Sequence, residues 1–92
     1  MFNVGDKVVV RSMAEIRKTL GNDGMARVDL GGASYTDKLY FSKYMEWFCG
    51  KAFVISNIDA PDNITLGEYN EWSFCRAWLR PYKIDNRSVA NV

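Results

Sequence analysis

Punctuation constrains this chain more than any other feature. Gly5 with Asp6, the run Gly21-Asn22-Asp23-Gly24, Gly31 with Gly32, Gly50, the run Asp59-Ala60-Pro61-Asp62-Asn63 and Pro81 interrupt the sequence before a long periodic segment can develop. Glycine supplies backbone angles closed to other residues, asparagine and aspartate form local turns, and proline removes a donor, so each cluster forces a change of direction. The stretches between them read as short strands and short helical pieces, with no βαβ spacing. What remains is a mainly β chain of short strands, tight turns and helical pieces of one or two turns. With 92 residues there is room for one core. The expectation is a small, strongly bent barrel formed by residues 1–84, followed by a polar tail, 85–92, that frays.

Within that frame the segments can be read individually. Val8, Val9 and Val10 are a β-branched strand after the Gly5–Asp6 turn, with Lys7 and Arg11 sharing the parity of Val9, so Val8 and Val10 face the core. Ser12 followed by Glu15 has capping-box spacing. It predicts a short helix that buries Met13, Ile16 and Leu20 and stops at Gly21. Residues 25–30 alternate, placing Ala26, Val28 and Leu30 on one face. Residues 31–38 read as a loop, and 39–41 as a short extended entry to a helical turn. Apolar residues on both parities of 51–58 predict a strand buried on both faces. Pro61, Asp62 and Asn63 make a turn, with 64–72 as the returning hairpin arm. Residues 80–84 form a last short strand.

One pattern occurs twice, as "FSKYMEWF" (41–48) and "WSFCRAWL" (72–79). A serine leaving an extended segment is a natural N-cap, since its hydroxyl accepts from an amide two or three residues ahead. Ser42 and Ser73 are therefore expected to start helical turns over 43–48 and 74–79, closed by Gly50 and Pro81. Trp47 and Trp78 each fall five residues after the serine, at the end of the turn. We expect them to plug the open mouths of the barrel. Tyr40, Tyr44, Tyr69 and Trp72 lie beside polar or acidic residues, where an aromatic groove for an extended peptide or for stacked bases is an equal alternative.

Composition closes off several chemistries. Histidine is absent, which removes histidine-dependent triads, histidine general bases and histidine-ligated metals. Cys49 and Cys75 are too few for a closed zinc site and lack Cys-x-x-Cys spacing. Two reduced, half-buried thiols are expected, with a single disulfide as the alternative. Glu68 and Glu71 are the one close carboxylate pair in a plausible site, but in a strand they would point apart. No phosphate loop or activated nucleophile accompanies them, so neither enzyme activity nor a cofactor is expected. No apolar run is long enough to span a bilayer, and Asp6 and Lys7 interrupt any signal-like layout. A soluble cytoplasmic protein without membrane contact is expected.

Charge is segregated along the chain. Residues 52–75 hold Asp59, Asp62, Glu68 and Glu71 and no lysine or arginine, while the remainder carries 12 basic and 7 acidic residues. Either the charges simply solvate the surface or the fold presents an acidic face and a basic face.

Val4, Gly5, Asp6, Val8, Val10 and Arg11, then Met45, Cys49, Gly50, Lys51 and Ile55, then Trp72, Ser73 and Leu79 resemble a family of small proteins encoded by phages and prophages of Gram-positive bacteria. These are the YorP-like products and, more distantly, the Mind bomb-type domain. The resemblance spans about residues 2–84, with a poorer match over 14–38. It implies an SH3-like barrel of five to six strands, a phage origin and a bacterial host cell, and it supplies no catalytic motif.

Two functions are expected on these grounds. The first is a non-catalytic module that binds a bacterial host or phage protein through an acidic, aromatic rim of Asp59, Asp62, Glu68, Tyr69, Glu71 and Trp72. By analogy with small phage proteins, it would inhibit or redirect its target, a defence nuclease among the candidates. The alternative is nucleic-acid binding through Arg11, Arg17, Lys18 and Arg27 early and Arg76, Arg80, Lys83 and Arg87 late. Exposed strand edges leave room for a monomer or a weak homodimer.

Overall fold

Six strands and three short helical pieces make up the computed structural model, which describes residues 2–32 and 37–83. The strands are β1 (Lys7–Val10), β2 (Met25–Arg27), β3 (Lys38–Tyr40), β4 (Ala52–Ala60), β5 (Asn63–Leu66) and β6 (Leu79–Pro81). Helix α1 covers Met13–Arg17, and two 3-10 helices cover Lys43–Phe48 and Arg76–Trp78. The chain is mainly β with short helical turns, as its punctuation requires. Every pairing is antiparallel: β5-β4-β1-β6 form one sheet and β2-β3 a second. Among the described residues no strand ladder closes the two sheets into a barrel. Ile84, Arg87 and the tail 85–92 lie outside the described residues, as do 33–36 within the expected loop.

β1 sits at the centre of the larger sheet, which explains its burial. Val8 and Val10 enter the core as the alternation predicts. Val9 points to the other face yet is also buried, between its register partners Ala52 and Arg80. Pro81 falls on edge strand β6, where a missing amide costs no ladder bond.

Several sequence expectations need correction. β4 is not buried on both faces: Ile55 is its one buried residue, and Val54 is 48% exposed. Register shifts at Ile55/Asn57 and Ile58/Ala60 mark bulges. A bulge inserts one residue and reverses which parity faces inward. Phe53 and Ile55 therefore point to the core before the first shift, and Ile58 packs against it after. Apolar residues on both parities reflect the bulge, not two covered faces. The segment 25–30 is a strand only to Arg27, and Leu30 is exposed. Beyond it the Asp29 amide donates to Asp62 Oδ2 at 2.7 Å and its carbonyl accepts from the Asp62 amide at 2.9 Å, drawing the chain towards the 61–62 turn. The arm returning from that turn ends at Leu66, and Gly67 turns away with φ +52°. Glu68 and Glu71 consequently lie in a loop, not in a strand.

Helix α1 is capped as expected. Ser12 Oγ accepts from the Glu15 amide at 3.3 Å, and Ile16 is fully buried. The helix ends at the Lys18 cap, three residues before Gly21, because Leu20 already bridges to Ala26. Thr19 occupies the gap: its hydroxyl donates to the Ile16 carbonyl at 2.6 Å and accepts from Trp78 Nε1–H at 2.9 Å. Thr19→Val keeps the shape and orphans a buried indole donor. We expect a loss of about 1–3 kcal/mol in urea denaturation.

The two serine units diverge. Ser42 caps the first 3-10 helix, accepting from the Tyr44 amide at 3.2 Å while its own amide donates to Met45 Sδ at 3.3 Å. Gly50, at φ +78°, ends it in the left-handed region. Ser73 caps nothing. Phe74 remains extended and exchanges both backbone bonds with Ile64, at 2.9 and 3.0 Å, so helical geometry starts only after Cys75. The cap on this second turn comes from 14 residues away: Asp62 Oδ1 accepts from the Arg76 amide at 2.9 Å.

Candidate functional site

The two tryptophans expected to act as plugs have opposite fates. Trp78 is 0% exposed, packed edge-on to Phe41 with ring centroids 4.9 Å apart. Trp47 is 54% exposed and plugs nothing. The cause is helix type. A 3-10 helix has three residues per turn, so positions i and i+3 share a face. Met45 and Phe48 take the inner face and are buried, which leaves Tyr44 and Trp47 together on an outer one.

Opposite them, the loop after β5 brings up Tyr69, Glu71 and Trp72. The resulting open groove is walled by Tyr44, Trp47, Tyr69, Glu71 and Trp72, with Phe48 as its floor. Tyr44 and Trp72 lie nearly parallel at 6.3 Å, and Trp47 meets Tyr69 at 5.8 Å. Phe48 contacts Trp47, Tyr69, Phe53 and Phe74 at 5.0–5.2 Å, and Phe74 contacts Trp78 at 6.3 Å. A continuous aromatic chain thus runs from the core to the groove. It seats Trp47 and Tyr69 on buried Phe48, which limits the entropy lost when a partner covers them.

Of the six rim residues expected from the sequence, Tyr69, Glu71 and Trp72 line this groove, and Glu68 is exposed on the same loop. Asp59 lies elsewhere, beside a small apolar hollow formed by Phe2, Ile58, Ala60, Pro61, Ile64 and Arg76. Asp62 is buried and serves the fold. Its carboxylate accepts from the Asp29 amide, the Arg76 amide and the Arg76 guanidinium (Nε 2.9 Å, Nη2 3.3 Å). Burial pushes its acidity the other way, but these donors prevail and hold the carboxyl below the usual aspartate value.

The basic residues are carried by several different elements. Arg11 pairs with Glu15 at 3.0 Å, and Arg76 pairs with Asp62 at 2.9 Å. Arg17 and Lys18 are exposed at the end of α1, while Arg80 is exposed on β6 and Lys83 beyond it. Arg27 stands opposite Lys38 in the small sheet, where Lys38 is bound to Asp23 at 2.7 Å.

Both cysteines are free thiols. Burial, and then the charge of Asp62, pushes Cys75 up to about 11. Burial followed by Glu46 also raises Cys49. Neither is a thiolate at neutral pH, so neither is primed as a nucleophile. Among the described residues no helix is long and apolar enough to cross a membrane.

Trp47 is the groove residue that sequence reasoning assigned to a plug, while Tyr44 was named there as a possible groove aromatic but not as part of the rim. The signal was present as an i, i+3 aromatic pair in a segment too short for a settled α-helix. Comparison of the chain with protein-family models, curated proteins and solved structures returned no match.

Proposed function

We propose that this protein is a non-catalytic protein-interaction module whose docking surface is the groove of Tyr44, Trp47, Tyr69 and Trp72, with Glu68 and Glu71 at its edge. One observation carries this: rings from two stretches far apart in sequence converge on one exposed groove, although a folding chain would ordinarily bury them. Aromatic residues that are rigid and half-exposed are the usual anchors of protein interfaces. The partner we propose is a bacterial protein in the cytoplasm of a host cell, inhibited or redirected by occupation of its surface. The supports for a phage-encoded, SH3-like module are the residue resemblance given above and the connectivity: β1, β4 and β5 are successive neighbours, and a 3-10 turn precedes β6, which returns to β1.

The test is affinity capture from a Gram-positive bacterial lysate, comparing the wild type with Tyr44→Ala/Trp47→Ala and with Glu68→Lys/Glu71→Lys. A specific protein retained by the wild type should be lost by at least about tenfold with the aromatic double variant. Equal recovery by that variant, or no specific recovery by the wild type, counts against the docking groove. A mobility shift of DNA or RNA at about 50 mM salt, removed by Arg17→Ala/Lys18→Ala, would favour the nucleic-acid alternative instead.

A further inference from the structure

The four wall rings of the groove differ in what already covers them. Lys51 Nζ lies 3.6 Å from the Trp47 ring centroid and donates to the Trp47 carbonyl at 2.8 Å. Lys43 Nζ lies 5.3 Å from the Tyr44 centroid. Two of the rings therefore hold ammonium groups from the protein's own chain. Among the described residues no lysine or arginine lies over Tyr69 or Trp72. These two rings flank Glu71, which lines the same groove, and they belong to the stretch 52–75 that has no basic residue. An aromatic face attracts a cation through its quadrupole, and an adjacent carboxylate adds direct charge attraction.

We infer that Tyr69, Glu71 and Trp72 form a seat for a cationic side chain, arginine or lysine, projecting from an extended segment of the partner. This rests on the docking reading above and names the chemistry the groove selects. Tyr44 and Trp47 hold the adjacent residues of the segment. Lys43 and Lys51 mark the limits of the seat, since their charges disfavour a second cation beside them.

The experiment uses acetylated, amidated pentapeptides Gly-Gly-Xaa-Gly-Gly in which Xaa is arginine, lysine, citrulline, norleucine or glutamate. Binding to the full chain is followed by the NMR shift of the Trp72 indole N–H. The arginine and lysine peptides should give saturable shifts. Citrulline and norleucine, which keep the length and lose the charge, should bind at least about fivefold more weakly, and glutamate more weakly still. Glu71→Gln should weaken the arginine peptide by about fivefold with an unchanged melting temperature. If norleucine or citrulline binds as tightly as arginine, or if none of the peptides shifts the Trp72 signal, the cation seat is overturned. The docking reading would survive either result, because its own test is the capture experiment with the wild type and Tyr44→Ala/Trp47→Ala.

Discussion

Trp78→Ala should cost about 3–5 kcal/mol, the largest stability loss expected from any single substitution in this protein. Trp78 is completely buried, it contacts Phe41 and Phe74 edge-on, and its indole N–H is satisfied by Thr19 Oγ1. It is the point where α1, the extended Phe74 and the sheet meet. Truncation opens a cavity that cannot collapse, because strands on one side and a capped helix on the other fix its walls. A domain of this size has only about 5–10 kcal/mol of net stability, so the variant should lose from about a third to nearly all of it, with a melting midpoint lower by about 12 °C or more. Thermal melting by circular dichroism checks this. Trp47→Ala, the equivalent residue of the other serine unit, should cost at most about half as much, since more than half of Trp47 is in solvent.

Asp62→Ala should rank second, at about 2–4 kcal/mol. One carboxylate joins three segments: the stretch after β2 at Asp29, its own hairpin turn and the 3-10 helix at Arg76. Its removal leaves two backbone amides without their acceptor and releases the second helical turn from its cap. The half-exposed Arg76 can rehydrate, which keeps the loss below that of a fully buried ion pair. The same network gives a pH signature. The folded-state value of Asp62 lies below the unfolded one, so its contribution is fully present above the unfolded value of about 3.9 and is lost as pH falls through the depressed folded value. Urea midpoints measured from pH 6 downwards should fall in the wild type. In Asp62→Asn they should start lower and fall less steeply. Glu15 and Asp23 are also held low by Arg11 and Lys38, but they are exposed and present in both proteins, so they leave the comparison intact.

These two residues also show how far the sequence could be read. Strand β1, the Ser12 cap, the Ser42 cap and the turn at Pro61–Asp62 were legible because each depends on neighbours a few residues away. The failures have non-local causes. Ser73 has the same local setting as Ser42, but Phe74 pairs with Ile64, and the cap is delivered by Asp62 from across the fold. A capping rule based on sequence distance cannot see that exchange. It also explains why Asp62 looked like a surface acid: nothing in "DAPDN" reveals that the backbone of Asp29 will arrive beside it. β4 misled for another reason, since a bulge and a doubly buried strand leave the same apolar pattern. At the groove, Tyr69, Glu71 and Trp72 were identified from the acidic stretch. Trp47 was missed because its place at the end of the turn was read as a barrel plug, where the three-residue period of the 3-10 helix places it beside Tyr44 in the open.

The chain has three tryptophans, hence three indole N–H signals, and they are natural reporters of its surfaces. In a proton–nitrogen correlation spectrum recorded with the captured partner, the signals of Trp47 and Trp72 should move or broaden while that of Trp78 stays in place. A partner that leaves Trp47 and Trp72 unperturbed, or that shifts the buried Trp78 alone, would contradict the assignment of the aromatic groove as the surface through which this protein acts.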